Sequence, residues 1–392
     1  MGMTSYLELR TRLQTWPKYD GCKTVTRAPL LTAAFPGAFN MSSTEHHWLG
    51  EYGGFLDWEH DYVFSTVQSC VRADDVERLR LGGRWHLGVF EMADLNGEIA
   101  FARRPDYHRL QSWQLEELVR FLATAGIPAD RVHASYCAGG PVAELTRGAY
   151  DVPVVIPPDT LSHDALCGAG VPEENLIPDR TRDTLLSLHV HRPTPWGYRN
   201  EIFVNIGTRR DPDLVDVATS EYLTWRPVFE GSQVRREDIV DLAELDAGAL
   251  GVGVGVERLC AVVNGLDRVH DVDYLRPFYI ALRNALPDTT PAEIHVAGES
   301  VRALHRIYTD LHFHPDALFR SGAHGERRLS PKRRKRSARL KRNVPRTLDS
   351  ATLAQILHQH AGTQPWHEHL ADAIPATVQA IADYHASKHS PT

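Results

Sequence analysis

A mixed α/β fold that gives way to helices near its end is predicted by this sequence, on three observations. Short strand-like and helix-like stretches alternate from residue 22 to about 263. A glycine–valine alternation at 251–256 runs straight into an apolar helix. Beyond about residue 290 strand signals stop, helical periodicity takes over and basic residues cluster. The chain has 392 residues, 42% hydrophobic and 24% charged, enough to bury a large core. Its net charge of −7 means that any nucleic-acid surface is local.

The elements follow in order. Residues 22–72 carry short β-rich runs broken by Pro29, Pro36 and glycine-rich turns. Tyr62 to Val67 reads as a strand, Arg72 to Trp85 as a charged loop, and His86 to Met92 as a second strand, giving a long-looped hairpin. Residues 109–124 form an amphipathic helix with Leu110, Trp113, Leu118 and Leu122 on one face. Strands are expected at Glu201–Ile206 and Tyr222–Phe229, and a strand-to-helix unit at Gly251–Val263. Pro287 and Pro291 mark a boundary at 285–292, dividing the chain into domains at 1–288 and 289–392. Closing helices are expected at 351–361 and 371–387.

Several function classes are disfavoured. The five cysteines (Cys22, Cys70, Cys137, Cys167 and Cys260) are odd in number and form no C-x-x-C pair, against a disulfide framework or thiolate zinc site. The histidine pairs His189/His191, His312/His314, His358/His360 and His367/His369 lack a carboxylate–cysteine set, so no dedicated metal site is assigned. The N-terminus has no apolar run behind a basic patch, and no stretch approaches 18 uninterrupted apolar residues, so a cytoplasmic protein is expected.

The sharpest motif is Gly251-Val252-Gly253-Val254-Gly255-Val256-Glu257-Arg258-Leu259. Valines face one side of such a strand and nothing faces the other, so a ligand can approach the bare face. Arg258 stands where strand gives way to helix and can project over that face, with a guanidinium suited to phosphate. No lysine–serine follows the glycines, so it is not a Walker loop.

G-x-G-x-G-x-E-R resembles motif 3 of class II aminoacyl-tRNA synthetases. Tyr19-Asp20-Gly21 through Val25 to Pro29-Leu30-Leu31 resembles motif 1, and Val71-Arg72, a loop, then Phe90-Glu91-Met92 resembles motif 2. The subtype resembled is alanyl. S-T-V-Q-S-C-V-R-A at 65–73 is similar to that family's T-T-S-Q-K-C-I-R-A, and Arg84-Trp85-His86-Leu87-Gly88-Val89-Phe90-Glu91-Met92 to its R-H-H-x-x-F-F-E-M. Pro195 to Ile202 echoes P-C-G-P-C-S-E-I, and Asp271 to Pro277 matches D-x-D-x-L-R-P. The resemblance covers roughly residues 18–280.

It implies an antiparallel class II sheet flanked by helices and an ATP-dependent ligase that makes an aminoacyl adenylate. Arg72 then grips the α-phosphate and Arg258 the γ-phosphate as the catalytic pair; Phe90 stacks on adenine, Glu91 lies near the nucleotide, and Gly253 and Gly255 leave room for adenosine. Mg2+ accompanies ATP. Met92 and Glu201 fall at the amino-acid pocket, and Glu221 is a second carboxylate at an expected strand position. Departures fall in the same pocket. Gly251 stands where the family has its ammonium-binding aspartate, Leu188 where it has a tryptophan, and Thr224 where it has an asparagine. Asp94 or Asp246 is left to take the ammonium, with alanine as the prior substrate. The motif 2 loop is shorter and lacks the family's lysine, leaving Arg84 or Arg78 to substitute. The chain ends where the full-length family continues, so neither an editing domain nor a C-terminal domain is expected.

Residues 327–342 hold ten Lys or Arg in sixteen positions with no acid, including the stripe from Lys332 to Arg342, which suits a phosphate backbone. In the alanyl family a basic helix of the tRNA-binding part follows the catalytic domain. Three functions stay open: transfer of the amino acid to tRNA, transfer to a small-molecule acceptor, and a non-catalytic paralogue that binds RNA or senses an amino acid. A homodimer through motif 1 is a further implication.

Overall fold

Helix α1 (Tyr6–Thr15) is capped by Ser5, whose side chain accepts from the Glu8 N–H, and it buries Tyr6, Leu9 and Leu13 at helical spacing. It opens a computed structural model that describes residues 3–32, 39–40, 62–103, 106–187, 195–231, 236–317, 320–321 and 327–388. Gly21, at φ +77°, turns the chain into β1 (Lys23–Thr24).

The strand expected over 62–67 is two strands, β2 (Tyr62–Ser65) and β3 (Val67–Val71). Thr66 leaves the ladder between them: its N–H donates to the Asp94 carboxylate at 2.9 Å. The long-looped hairpin therefore forms between β3 and β4 (Val89–Asp94), while β2 pairs with β5 (Glu98–Arg103). The hairpin's charged loop contains α2 (Asp75–Arg80).

Helix α3 (Asp106–Thr124) is amphipathic as expected, with Leu110, Leu118 and Leu122 buried. There follow β6 (Val132–Cys137), β7 (Gly140–Pro141), α4 (Val142–Leu145), β8 (Val155–Ile156), α5 (Thr160–Gly168), β9 (Leu176–Asp179) and β10 (Leu185–Ser187). Three long strands come next: β11 (Trp196–Asn205), β12 (Leu214–Phe229) and β13 (Ile239–Gly255). The strands expected at 201–206 and 222–229 are the ends of the first two. Eleven strands form the main sheet in the order β1-β2-β5-β13-β12-β11-β6-β9, with β10 on β11 and the β3–β4 hairpin on β13. Its centre is antiparallel; the β1–β2 and β6–β9 pairs are parallel.

The remainder is helical: α6 (Val256–Val263), α7 (Arg276–Ala285), α8 (Pro291–Phe313), α9 (Pro331–Arg342), α10 (Ser350–Gly362) and α11 (Ile374–Ser387). The break at 285–292 is the turn between α7 and α8. Thr290 and Glu293 close a capping box there, and Pro291 sits in the first turn. Every residue of α8 from Ile294 to Leu311 is buried, polar ones included. Several of these polar groups have partners: Glu299 accepts from the Gly88 N–H (2.7 Å), Arg306 donates through Nη2 to Ser69 Oγ (2.7 Å), and Asp310 accepts from the Leu30 N–H (2.7 Å) and pairs with Arg27. One apolar core continues across the break, from Tyr6 to Ile381. No helix among the described residues is long and apolar enough to cross a membrane.

Candidate functional site

Strand β13 makes the floor of the site. Val252, Val254 and Val256 are fully buried in the core, and Gly251, Gly253 and Gly255 line a cavity of about 310 Å3. The register completes the floor: Gly255 lies beside Met92 and Gly253 beside Asp94 on β4, while Gly253 lies beside Thr219 and Gly251 beside Glu221 on β12. Arg72, Phe90, Met92, Arg199, Glu201, Thr219, Glu221 and Arg258 all line this cavity.

The two expected phosphate arginines are therefore brought together, one from the end of β3 and one from the first turn of α6. The Arg72 guanidinium lies 5.0 Å from the Phe90 ring centroid, a cation–π contact that orients both. Arg258 donates through Nε to the Trp85 carbonyl (2.8 Å) and pairs through Nη1 with Asp216 Oδ2 (2.6 Å). Glu201 accepts from Thr219 Oγ1 (2.7 Å) and pairs with Arg199 Nε (3.1 Å). Burial, with Asp216 nearby, raises the Glu201 carboxyl above the usual carboxylate range.

Other expected residues lie elsewhere. Glu91 alternates to the far side of β4, where it pairs with Arg10 (2.8 Å) and accepts from the Tyr6 hydroxyl (2.8 Å). Asp94 is buried and turned to the Thr66 N–H. Arg84 pairs with Asp213 at 2.6 Å, and Thr224 is buried on β12 at a register irregularity; neither lines the cavity. Arg78 is exposed on α2, beside His86. Leu188 lies outside the described residues, as does the side chain of Asp246.

Among the cavity residues that were not anticipated are Glu98, Arg199 and Asp216. Glu98 is 4% exposed. Its carboxylate occupies the space above Gly251, where an added Cβ would lie 2.4 Å from Glu98 Oε2. Arg199 sits two residues before Glu201 on β11, so strand periodicity was the available signal for it; Asp216 is out of phase with Thr219 and Glu221 on β12 and reaches the cavity through a register irregularity that no periodicity announces. Glu257, which also borders the cavity, accepts from the Glu91 N–H (3.0 Å) and the Tyr274 hydroxyl (2.7 Å). Burial, then the neighbouring Glu91, pushes its carboxyl up to about 7.

The basic stripe folds as α9, with Ser330 accepting from the Arg333 N–H as cap. It is two-faced. Arg333, Ser337 and Leu340 are buried, and Arg333 donates to the Thr32 carbonyl at 2.6 Å. Arg339 pairs with Asp74 and Glu77 of the motif 2 loop. Lys332, Arg334, Lys335, Arg336 and Arg342 are exposed, with no acidic partner among the described residues.

Comparison with known proteins finds similarity to alanine–tRNA ligases. The chain is 28% identical over 222 residues to the mitochondrial alanine–tRNA ligase of Saccharomyces cerevisiae, covering 54% of this chain and 20% of that protein. It is 23% identical over 282 residues to the alanine–tRNA ligase of Salinispora tropica (69% and 28%). Against the cytoplasmic alanine–tRNA ligase of Drosophila melanogaster it is 26% identical over 261 residues (64% and 24%). The matched region thus spans between a fifth and three-tenths of these relatives. No protein-family profile matches the chain. The antiparallel centre with its flanking helices is consistent with a class II synthetase core.

Proposed function

We propose that this alanyl-tRNA synthetase-like chain is an ATP-dependent ligase that activates an amino acid as its adenylate and transfers the aminoacyl group to an acceptor, with tRNA favoured. The observation that carries the proposal is the convergence of Arg72, Phe90 and Arg258 on one glycine-floored cavity. A nucleotide triphosphate fits these residues chemically. The flat glycine strand admits the sugar, Phe90 offers an aromatic face, and the two guanidiniums match phosphate oxygens.

In the first step an amino-acid carboxylate oxygen attacks the α-phosphorus and pyrophosphate leaves. Arg72 meets the charge that develops on the α-phosphate oxygens, and Arg258 exchanges Asp216 for the terminal phosphate. The chain's task is positioning and charge stabilisation. Mg2+ is part of the proposal, with the carboxylate oxygens of Glu201 and Asp216, which line the same cavity, as hard donors that would hold it.

The exposed cations of α9 support an RNA acceptor. The remodelled amino-acid end, with glycine at 251, supports the second reading, transfer to a small-molecule acceptor. A cytoplasmic location, a homodimer and the division into 1–288 (adenylating) and 289–392 (helical) belong to the same proposal.

The test is amino-acid-dependent exchange of labelled pyrophosphate into ATP, across all twenty amino acids, with and without tRNA. Exchange with one amino acid is expected, falling at least about 10-fold in Arg72→Ala and in Arg258→Ala as charge-assisted hydrogen bonds are lost. Unchanged exchange in Arg258→Ala would sink the assignment.

A further inference from the structure

The two ends of the cavity carry different charged groups. Gly251 and Gly255 are four residues apart on β13, about 13 Å at the rise of a strand. Beyond Gly255 stands Arg258, with Arg72 across the cavity. At the Gly251 end stand two carboxylates, Glu221 beside it on β12, with Arg199 next to Glu221 on β11, and Glu98 above it from β5. The two guanidiniums of the first end suit phosphate oxygens. What suits the second is a cation small enough to share a buried strand face.

Glu98 is the more telling of the two. The three atoms nearest an added Cβ at 251 are all of its carboxylate, at 2.4 to 2.7 Å. Its head group therefore fills the volume that a side chain at 251 would use. Position 251 has lost the carboxylate expected there by resemblance, and the neighbouring strand supplies one in the same space. A buried carboxylate facing a ligand cavity is best matched by a cationic group of that ligand.

We propose that Glu98 binds the α-ammonium of the substrate, so that the site takes α-amino acids with a free amine and rejects 2-hydroxy and N-acylated acids. This rests on the proposed adenylation and names its substrate class. It orients the molecule: ammonium on Glu98, carboxylate towards Arg72 and the α-phosphate.

The test uses the full chain as Glu98→Gln, Glu98→Ala, Gly251→Asp and the double variant Glu98→Ala/Gly251→Asp. ATP binding is measured by titration, and pyrophosphate exchange with the amino acid that supports it, with its 2-hydroxy analogue alongside. Both Glu98 variants should bind ATP as the wild type does, while the amino-acid KM rises by at least about 30-fold, the loss expected when one partner of a buried charge pair is removed. Gly251→Asp alone should fail, because its side chain meets the Glu98 carboxylate. The double variant should recover most of the lost affinity, which a merely structural role for Glu98 does not predict. An amino-acid KM within a few-fold of wild type in Glu98→Gln, or equal use of the 2-hydroxy analogue, overturns the inference and leaves adenylation standing. Absence of exchange in the wild type with any amino acid, with ATP bound, overturns adenylation and this inference with it.

Discussion

Glu257 is the place where the fold holds a proton it would otherwise lose. Its side chain is 1% exposed, packed against Glu91, and its carboxyl is pushed up to about 7. In the unfolded chain the same group titrates near 4.3 to 4.5. Between those values the folded state keeps a proton that the unfolded state has released. The folded-state pKa is raised, so the stability it contributes is full below the unfolded value and is lost as pH rises through the folded one. Integrated from pH 5 to pH 8, the loss is roughly 2 to 3 kcal/mol.

Glu257→Gln removes the titration and keeps the shape. The amide oxygen can still accept from the Glu91 N–H, and the amide nitrogen can donate to the Tyr274 oxygen once that hydroxyl turns. The assay is urea unfolding of wild type and variant at pH 5, 6, 7 and 8. Subtracting the two profiles cancels the histidines and every other shared group. The variant should gain roughly 2 to 3 kcal/mol relative to wild type from pH 5 to pH 8. Parallel profiles would refute the assignment of the buried proton to Glu257.

Other expectations concern the same core. His305 donates through Nε2 to the Leu370 carbonyl (2.7 Å), and its Nδ1 meets His360 Nδ1 (3.2 Å), whose Nε2 accepts from Arg302 (3.3 Å), a chain that requires both rings neutral. Burial lowers His305 to about 4, so stability is lost as pH falls from 6.5 towards 4; His305→Gln should show a shallower acid limb in urea unfolding. Arg333→Ala should cost about 1.5 to 3 kcal/mol through its bond to Thr32, while Arg334→Ala one residue on stays within about 0.5 kcal/mol in thermal denaturation. Replacing Lys332, Arg334, Lys335 and Arg336 together should weaken RNA binding and its salt dependence without lowering the melting temperature, measured by filter binding over a salt series. Gly197→Ala would put a Cβ 2.0 Å from the Tyr222 carbonyl oxygen, a backbone atom that cannot step aside; it should destabilise by about 3 kcal/mol or more, and a normal melting temperature would contradict the β11–β12 register.

The centre of the site was legible because its information is local. Glycines and valines at alternating positions declare which face is bare, and Arg258 follows them by a fixed three residues. Arg72 directly follows β3 and Phe90 lies on β4, two strands that a single loop joins. The two faces of α9 were also within reach: Arg333, Ser337 and Leu340 follow i, i+4, i+7, a helical seam inside the charge run. Helix α8 was not. Glu299, Arg302, His305, Arg306 and Asp310 look like a solvated pattern, and only pairing with Gly88, Tyr279, Ser69, Arg27 and Leu30 makes their burial tolerable. Glu98 was invisible for a related reason. That it meets Gly251 depends on β5 pairing with β13 across some 150 residues of chain, and no periodicity in either strand announces the partner.

Glu91 marks where local information existed and family resemblance overrode it. Phe90 and Met92 line the cavity, so on a pleated strand the residue between them must point away from it. The structure obeys the alternation: Glu91 serves the layer behind, where Arg10, Tyr6 and Glu257 meet it. That layer still bears on the site. The backbone of Glu91 is held by Glu257, one residue before Arg258, so the strand that carries Phe90 and the helix that carries Arg258 are tied at their joint. Loosening that tie would shift the aromatic face and the guanidinium relative to each other. Glu257→Gln, which keeps the bond from the Glu91 N–H, should therefore leave ATP affinity near wild type, whereas Glu257→Ala, which removes it, should weaken ATP binding as measured by titration. Equal ATP affinity in the two variants would mean that the joint does not set the spacing.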